Sequence, residues 1–433
     1  MMMNQIMAKF QRFEKIRKLH TIISKETIKP SSPTPPHLKT HHLSMIDHLT
    51  PNVHMPWVFF YKNYTKGDIN ILKKSLSQCV THYYPFAGRL LGPDATHIDC
   101  NDEGVEFVEA SIDSRIDDFI FKKDQDETFD QLIPNALGCA VNKTSANMVA
   151  VQLSYFTCGG AALAVSVSHK AGDGFTMGSF VNDWSILTRG GSPIIHGFFP
   201  STMSNFKIPE FLLVEGPKVK CVTRKYVFPN SKLNELKNKI NTMGTSPMNP
   251  TRVESLTSLL FKRAEAAATA KSGSLQPSRL VHMVNLRGTN NANFPKLALG
   301  NFFACVGAKI KDSGEINLNE VITSLRNERV ELQGVSEVEE AGKTLVDAWR
   351  EIVDDQNRAY TFSSLCRFPF YQVDFGWGKP ERVMLRSEIM GTNFLMFMDT
   401  PSGDGIEATV QLEEEEMSIF QNDKELHAYT QDI

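Results

Sequence analysis

A histidine and an aspartate four residues apart, in Ser168-His169-Lys170-Ala171-Gly172-Asp173-Gly174, are the residues of this 433-residue chain best suited to moving a proton. Imidazole titrates near neutrality, so His169 can act as a base at working pH. Asp173 can accept a hydrogen bond from that ring, or brace the loop by pairing with a cation elsewhere. Spacing alone leaves both roles open, and it equally fits a loop histidine with no part in chemistry. A second feature, Asp374-Phe375-Gly376-Trp377-Gly378-Lys379-Pro380, describes a tight loop with two glycines astride a tryptophan. Alone it reads as a structural turn plugged by Trp377. The chain has no GxSxG elbow, no phosphate-binding P-loop, no GxGxxG after a strand and no HExxH. His169 and Asp173 offer two metal ligands and no third at helpful spacing, so no metal is expected.

These residues need elements to hold them. Apolar residues alternate over 148–155, where Val149, Val151, Leu153 and Tyr155 oppose Ala150, Gln152 and Ser154, and again over 161–168. Two strands are predicted, joined by a turn at Cys158-Gly159-Gly160. Beyond Gly174, Met177, Phe180, Val181, Trp184 and Leu187 recur at helical spacing. His169 therefore falls at a strand end and Asp173 at a helix entrance. Another helix is predicted from an N-cap at Asp68 through Val80, stopped at Tyr84-Pro85. Prolines 200, 209 and 217 and the lack of any period over 196–222 mark a crossover between two domains, 25–195 and 223–433. The second half opens with a strand at 225–228 and helices at 231–240 and 253–268; strands at 282–286 and 394–398 follow. The first 24 residues, carrying Lys9, Arg12, Lys15, Arg17 and Lys18, read as a disordered or frayed basic arm. The four glutamates at 413–416 read as a solvated face.

Composition excludes whole classes of partner. With 46 Lys+Arg against 49 Asp+Glu the net charge is −3, so no basic footprint for nucleic acid is expected. Seven cysteines, an odd number with no CxxC, fit a reduced, cytoplasmic protein. The most apolar stretch, 148–167, is broken by Gln152, Ser154, Gly159 and Gly160, so neither a membrane span nor a secretory signal is predicted.

Taken together, His169-x-x-x-Asp173 in the first half and Asp374-Phe-Gly-Trp-Gly378 about 200 residues later resemble the BAHD family of plant acyl-CoA-dependent acyltransferases. Phe156-Thr157-Cys158-Gly159-Gly160, Asn285-Leu286-Arg287, Leu299-Gly300-Asn301 and Cys366-Arg367-Phe368-Pro369-Phe370-Tyr371 look like that family too, and stand in its order. The resemblance runs from about residue 25 onward and looks closest to the alkaloid O-acetyltransferase branch. It implies an α/β fold of two similar-sized mixed-sheet domains, chloramphenicol acetyltransferase-like, joined by a crossover loop with a channel between them. His169 would be the general base, acting in a ternary complex without an acyl-enzyme.

The resemblance also distributes the other roles. Asp173 would pair with Arg287 as a brace. Asp374, a candidate second catalytic carboxylate, reads as architectural; Gly376 and Gly378 would permit the turn, and Trp377 would pack near the CoA side. Ser363, in Ser363-Ser364-Leu365 where relatives can carry Thr-Ser-Trp, would supply an oxyanion hydroxyl, while Leu365 has nothing to donate. Asn301, Thr251 and Ser255 would lie near the CoA arm. Ala298-Leu299-Gly300-Asn301-Phe302 departs from the Tyr-Phe-Gly-Asn-Cys of the anthocyanin malonyl-transferring branch. The implied co-substrate is acetyl-CoA, with no bound cofactor, and the acceptor an alkaloid alcohol; the protein is expected to be a monomer. Alternatives are malonyl-CoA or another acyl-CoA, a phenylpropanoid, terpenoid, simple alcohol or amine as acceptor, and a non-catalytic homologue that binds CoA or a metabolite.

Overall fold

The computed structural model describes residues 19–431 apart from 66, 68, 93–94, 122–127, 135–145, 195, 199–205, 208, 210–218, 245–246, 289–293, 311–315, 354–357 and 387–391. Two six-stranded mixed sheets, each packed with helices, carry the molecule. The first runs in the order His20–Ile28, Val105–Ile112, Val149–Phe156, Ala161–Ser168, His54–Tyr61, Arg382–Leu385. The second runs Cys221–Pro229, Gly405–Glu413, Phe394–Asp399, Arg358–Ser364, Ser278–Asn285, Phe303–Ile310.

The predicted pair Val149–Phe156 and Ala161–Ser168 forms an antiparallel hairpin, with Gly159 at φ +89° in the turn where a side chain would be strained. Ala161–Ser168 is buried along its whole length, so its alternation sorts residues between two cores. Leu163, Val165 and Val167 pack with Leu76, Phe180 and Trp184 of the helices Ile69–His82 and Gly174–Thr188. Ala162 and Ala164 face a smaller cluster around Phe60, Phe119 and Leu132. The expected N-cap Asp68 lies outside the described residues, as does most of the 196–222 crossover. Gly197–Phe198 within that stretch pairs in parallel with Ala298–Leu299, and Cys221–Pro229 begins the second sheet.

Two expectations need correction, and one strand was not expected. Residues 20–24, assigned to a frayed arm, belong to the edge strand His20–Ile28, which pairs with Val105–Ile112; residues 1–18 are outside the description. An edge strand that is mostly exposed carries little hydrophobic signal, because only its few inward positions need be apolar. The glutamate run is not uniformly solvated: Glu416 is 3% exposed and accepts from Arg358 Nη1 at 2.7 Å. The unexpected strand, His54–Tyr61, is buried throughout and contains Pro56. Pro56 is tolerated at the end of a ladder: pairing with Arg382–Leu385 starts at Trp57, and the Pro56 carbonyl still accepts from Arg386 N–H at 3.2 Å.

The two halves exchange chain. Arg382–Leu385, from late in the sequence, closes the first sheet, and Arg382 also pairs with Glu407 of the second. Phe370, Val373 and Phe375 enter the first core, where Phe370 stacks on Trp57 with centroids 4.3 Å apart. Phe370→Ala should therefore cost about 3–5 kcal/mol in urea unfolding. A loss below about 1 kcal/mol would mean that this residue does not anchor the exchanged segment.

Candidate active site

The histidine loop begins where strand Ala161–Ser168 ends. His169 N–H donates to the Val53 carbonyl at 2.8 Å, and Asp173 caps helix Gly174–Thr188 by accepting from Thr176 N–H at 3.1 Å. The helix entrance leaves no room for a side chain at Gly174: a Cβ there would lie 2.7 Å from Leu365. The loop is then gripped from the other half. Arg287 forks onto Asp173, Nη1 to Oδ2 at 2.7 Å and Nη2 to Oδ1 at 3.1 Å. Phe302 N–H adds a bond to Oδ2 at 3.1 Å. The guanidinium also donates to the carbonyls of Ala298 and Gly300, at 2.6 and 2.9 Å, and lies between the rings of Phe175 and Phe302. Counting Thr176 N–H, both Arg287 nitrogens and Phe302 N–H, Asp173 accepts from four donors, as many as the lone-pair positions a carboxylate offers. The expected brace is present, and Asp173 has no capacity left to relay a proton.

Burial pushes Asp173 up, but the Arg287 charge and the converging donors outweigh it and hold the carboxyl below its usual range. Burial likewise pushes the His169 imidazole down, against smaller opposing effects of its own carbonyl, Asp173 and Asn301. His169 is thus neutral at pH 7. Its Nδ1 is enclosed without a hydrogen-bond partner, so Nε2 is the accessible nitrogen. The ring lies on the wall of a cavity of about 440 Å³ between the two sheets. Met55, Trp57 and Phe175 line it from the first half, and Met283, Phe303, Trp349 and Phe394 from the second. Ser363, Ser364 and Leu365 share that wall, which puts the Ser363 hydroxyl and His169 on one chamber.

Other candidates are placed elsewhere. Asp374 does not line the cavity. Its Oδ1 accepts from Gly376 and Gly378 N–H at 2.7 and 3.0 Å, closing a loop in which both glycines have positive φ, +93° and +81°. Trp377 packs edge-on to Tyr61 and Tyr64, so this loop clasps the first half and Asp374 is its clip. Thr251 caps helix Arg252–Ser272, and Ser255 Oγ donates to the Thr251 carbonyl at 2.9 Å; neither reaches the cavity. Asn301 is buried and bonds the His169 carbonyl instead of lining the chamber. Sequence reading missed Thr176, whose Oγ1 bridges Asp173 and Gly300, and the apolar wall, whose members are scattered without local pattern. Among the described residues no cluster of three or more His, Cys, Asp or Glu is arranged to hold a metal, and no helix is long and apolar enough to cross a membrane.

Comparison with known proteins agrees with this geometry. The profile of the Transferase family matches residues 19–427. Diaboline synthase from Strychnos sp is 35% identical, with 94% of this chain and 91% of that protein covered. A 17,18-epoxy-17-hydroxycur-19-ene N-malonyltransferase from Strychnos nux-vomica is 34% identical, covering 94% and 90%. Deacetylvindoline O-acetyltransferase from Catharanthus roseus is 35% identical, covering 93% and 96%. The crystal structure of vinorine synthase superposes with a TM-score of 0.79 at 29% identity, over 95% of this chain and 98% of that one. With its paired mixed-sheet domains and its histidine loop braced from the opposite half, the chain belongs to the Transferase family, the BAHD acyltransferases, and is an acyl-transferring enzyme.

Proposed function

We propose that the protein transfers an acetyl group from acetyl-CoA to a hydroxyl of a bulky, largely apolar alkaloid, with His169 as general base. The observation that carries this reading is a neutral imidazole, open at Nε2, on a chamber walled by both halves. As the acceptor oxygen attacks the thioester carbonyl, its proton passes to Nε2. The tetrahedral oxyanion forms on the side of Ser363, whose hydroxyl can donate to it. Collapse breaks the carbon–sulfur bond, and the departing CoA thiolate takes the proton back from His169. Atoms and charge balance without an acyl-enzyme. Leu365 supplies no donor, so Ser363 bears more of the oxyanion than an indole-bearing site would require.

The wall also informs donor and acceptor. Arg287 and Arg386 both line the chamber, and each already holds a carboxylate, Asp173 and Asp130 respectively. Arg287, whose fork is filled by Asp173, is not set to receive a malonyl carboxylate, which favours acetyl over malonyl at that part of the wall. Aromatic and methionine side chains suit a fused-ring acceptor. One chain lines the chamber from both sides, which supports action as a monomer, and the six described cysteines are free thiols, as in a reducing cytoplasm.

CoA release measured with a thiol reagent, using acetyl-CoA, malonyl-CoA and a panel of hydroxylated alkaloids and simpler alcohols, tests the reading. His169→Ala should lose roughly 10²–10⁴-fold in turnover with its melting temperature unchanged. Near-normal rates would sink the general-base role. Because the neutral ring is the active form and its pKa is depressed, kcat/KM should stay flat as pH falls from 8 to the ordinary histidine value of 6.5, then decline. A decline already centred above that value would contradict the depressed pKa. Asp173→Asn, which breaks a buried pair, should cost about 3–5 kcal/mol and soluble yield while keeping the acid limb in its surviving activity. If it folded normally and the limb vanished, Asp173 would be the catalyst.

A further inference from the structure

In the histidine loop the Asp173 carboxylate is taken up by Arg287, Thr176 and Phe302, and Nδ1 of the imidazole makes no hydrogen bond to it, which leaves the ring beside its own carbonyl and Asn301. The aim of the ring therefore rests on how that peptide and that amide are held. Both peptide groups of His169 are indeed pinned. Its N–H donates to Val53 at 2.8 Å, and its carbonyl accepts from Asn301 Nδ2 at 2.8 Å.

The amide is held in turn. Asn301 Nδ2 also donates to Asp47 Oδ1 at 2.8 Å, across 254 residues of sequence. Asp47 belongs to the short helix Met45–Leu49, where its Oδ2 accepts from Ser44 N–H at 2.7 Å in a capping box. The other end of this helix grips the residue after the histidine: the carbonyls of Asp47 and His48 accept from Lys170 Nζ at 3.0 and 2.9 Å. Asp47 and Lys170 are 5% exposed and Asn301 is 3% exposed. Well-packed apolar side chains would stabilise such a junction at least as well as a buried carboxylate and ammonium. What the polar groups add is direction, since hydrogen bonds fix angles that packing leaves soft.

We propose that Asn301 and Asp47 are positioning residues for His169, acting through its backbone carbonyl, and that Lys170 holds the adjoining peptide to the same helix. The proposal rests on His169 being the base and gives Asn301 a role other than contact with CoA.

Steady-state kinetics of Asn301→Ala, with thermal unfolding of each variant, tests it. Turnover should fall about 10–100-fold, as expected for a slightly misaimed base, while KM for acetyl-CoA stays within about twofold. In the His169→Ala background the same substitution should cause no further loss, because there is no ring left to aim. Asp47→Asn keeps the volume but places an amide hydrogen against either Ser44 or Asn301; it should lower kcat about 3–10-fold at unchanged KM, and it carries the test if Asn301→Ala does not fold. A raised KM for acetyl-CoA at normal kcat would overturn the proposal in favour of a CoA contact. Equal losses with and without His169 would overturn it too. Near-normal turnover in His169→Ala alone would instead remove the general-base reading.

Discussion

A carboxylate from the first half and a guanidinium from the second meet inside the protein, and the reacting geometry depends on their meeting. Asp173 and Arg287 would be costly to bury singly, since a lone ion in a poorly polar interior keeps most of its lost hydration as a penalty. Here each is almost completely used: the carboxylate by four donors, the guanidinium by backbone carbonyls and the rings of Phe175 and Phe302. The pair cannot slide without stranding a charge. It therefore ties the histidine loop of the first half to the second half, whose residues include Ser363, around one chamber. It also spends the negative charge that would otherwise favour a protonated imidazole, which leaves a weakly basic, neutral ring facing the acceptor.

Much of this was legible in residue patterns, because the active loop is local. Strand alternation up to Ser168, glycines at 172 and 174 and helical spacing beyond place His169 and Asp173 at the junction where they are found. The DFGWG loop was legible for the same reason: two positive-φ positions call for glycine, and an aspartate two residues before the first can clip their N–H groups. What stayed hidden depends on pairing at a distance. Strand His54–Tyr61 carries Pro56, and its partners Ala161–Ser168 and Arg382–Leu385 are far along the chain. Glu416 looked solvated until Arg358 was found beside it. Thr251 and Ser255 carried hydroxyls that a helix start consumes. Asn301 was expected near the CoA arm, whereas its partners, Asp47 and the His169 carbonyl, come from remote parts of the chain.

The chamber shows a division between chemistry and choice. The proton-handling parts sit on rigid junctions held by hydrogen bonds, whereas the surface that meets the acceptor is built from aromatic and methionine side chains on many separate elements. Dispersion and burial reward a good fit without demanding one orientation, so changes on that wall can alter which acceptor is taken while leaving the histidine loop untouched. Relatives near one third identity that carry different substrate names over nearly the same length fit that arrangement.

The exchanged strand Arg382–Leu385 has a consequence for synthesis on the ribosome. Until residue 385 has emerged, strand His54–Tyr61 has an unpaired edge and Trp57 lacks the Phe370 ring that stacks on it. Strand His54–Tyr61 is made early yet gains this neighbour only after more than 300 further residues have been added. Nascent chains thus spend much of translation with an apolar, half-paired sheet open to other chains. Truncation anywhere before Leu385 leaves both halves unfinished, so the gene cannot be cut at the crossover into two self-sufficient pieces.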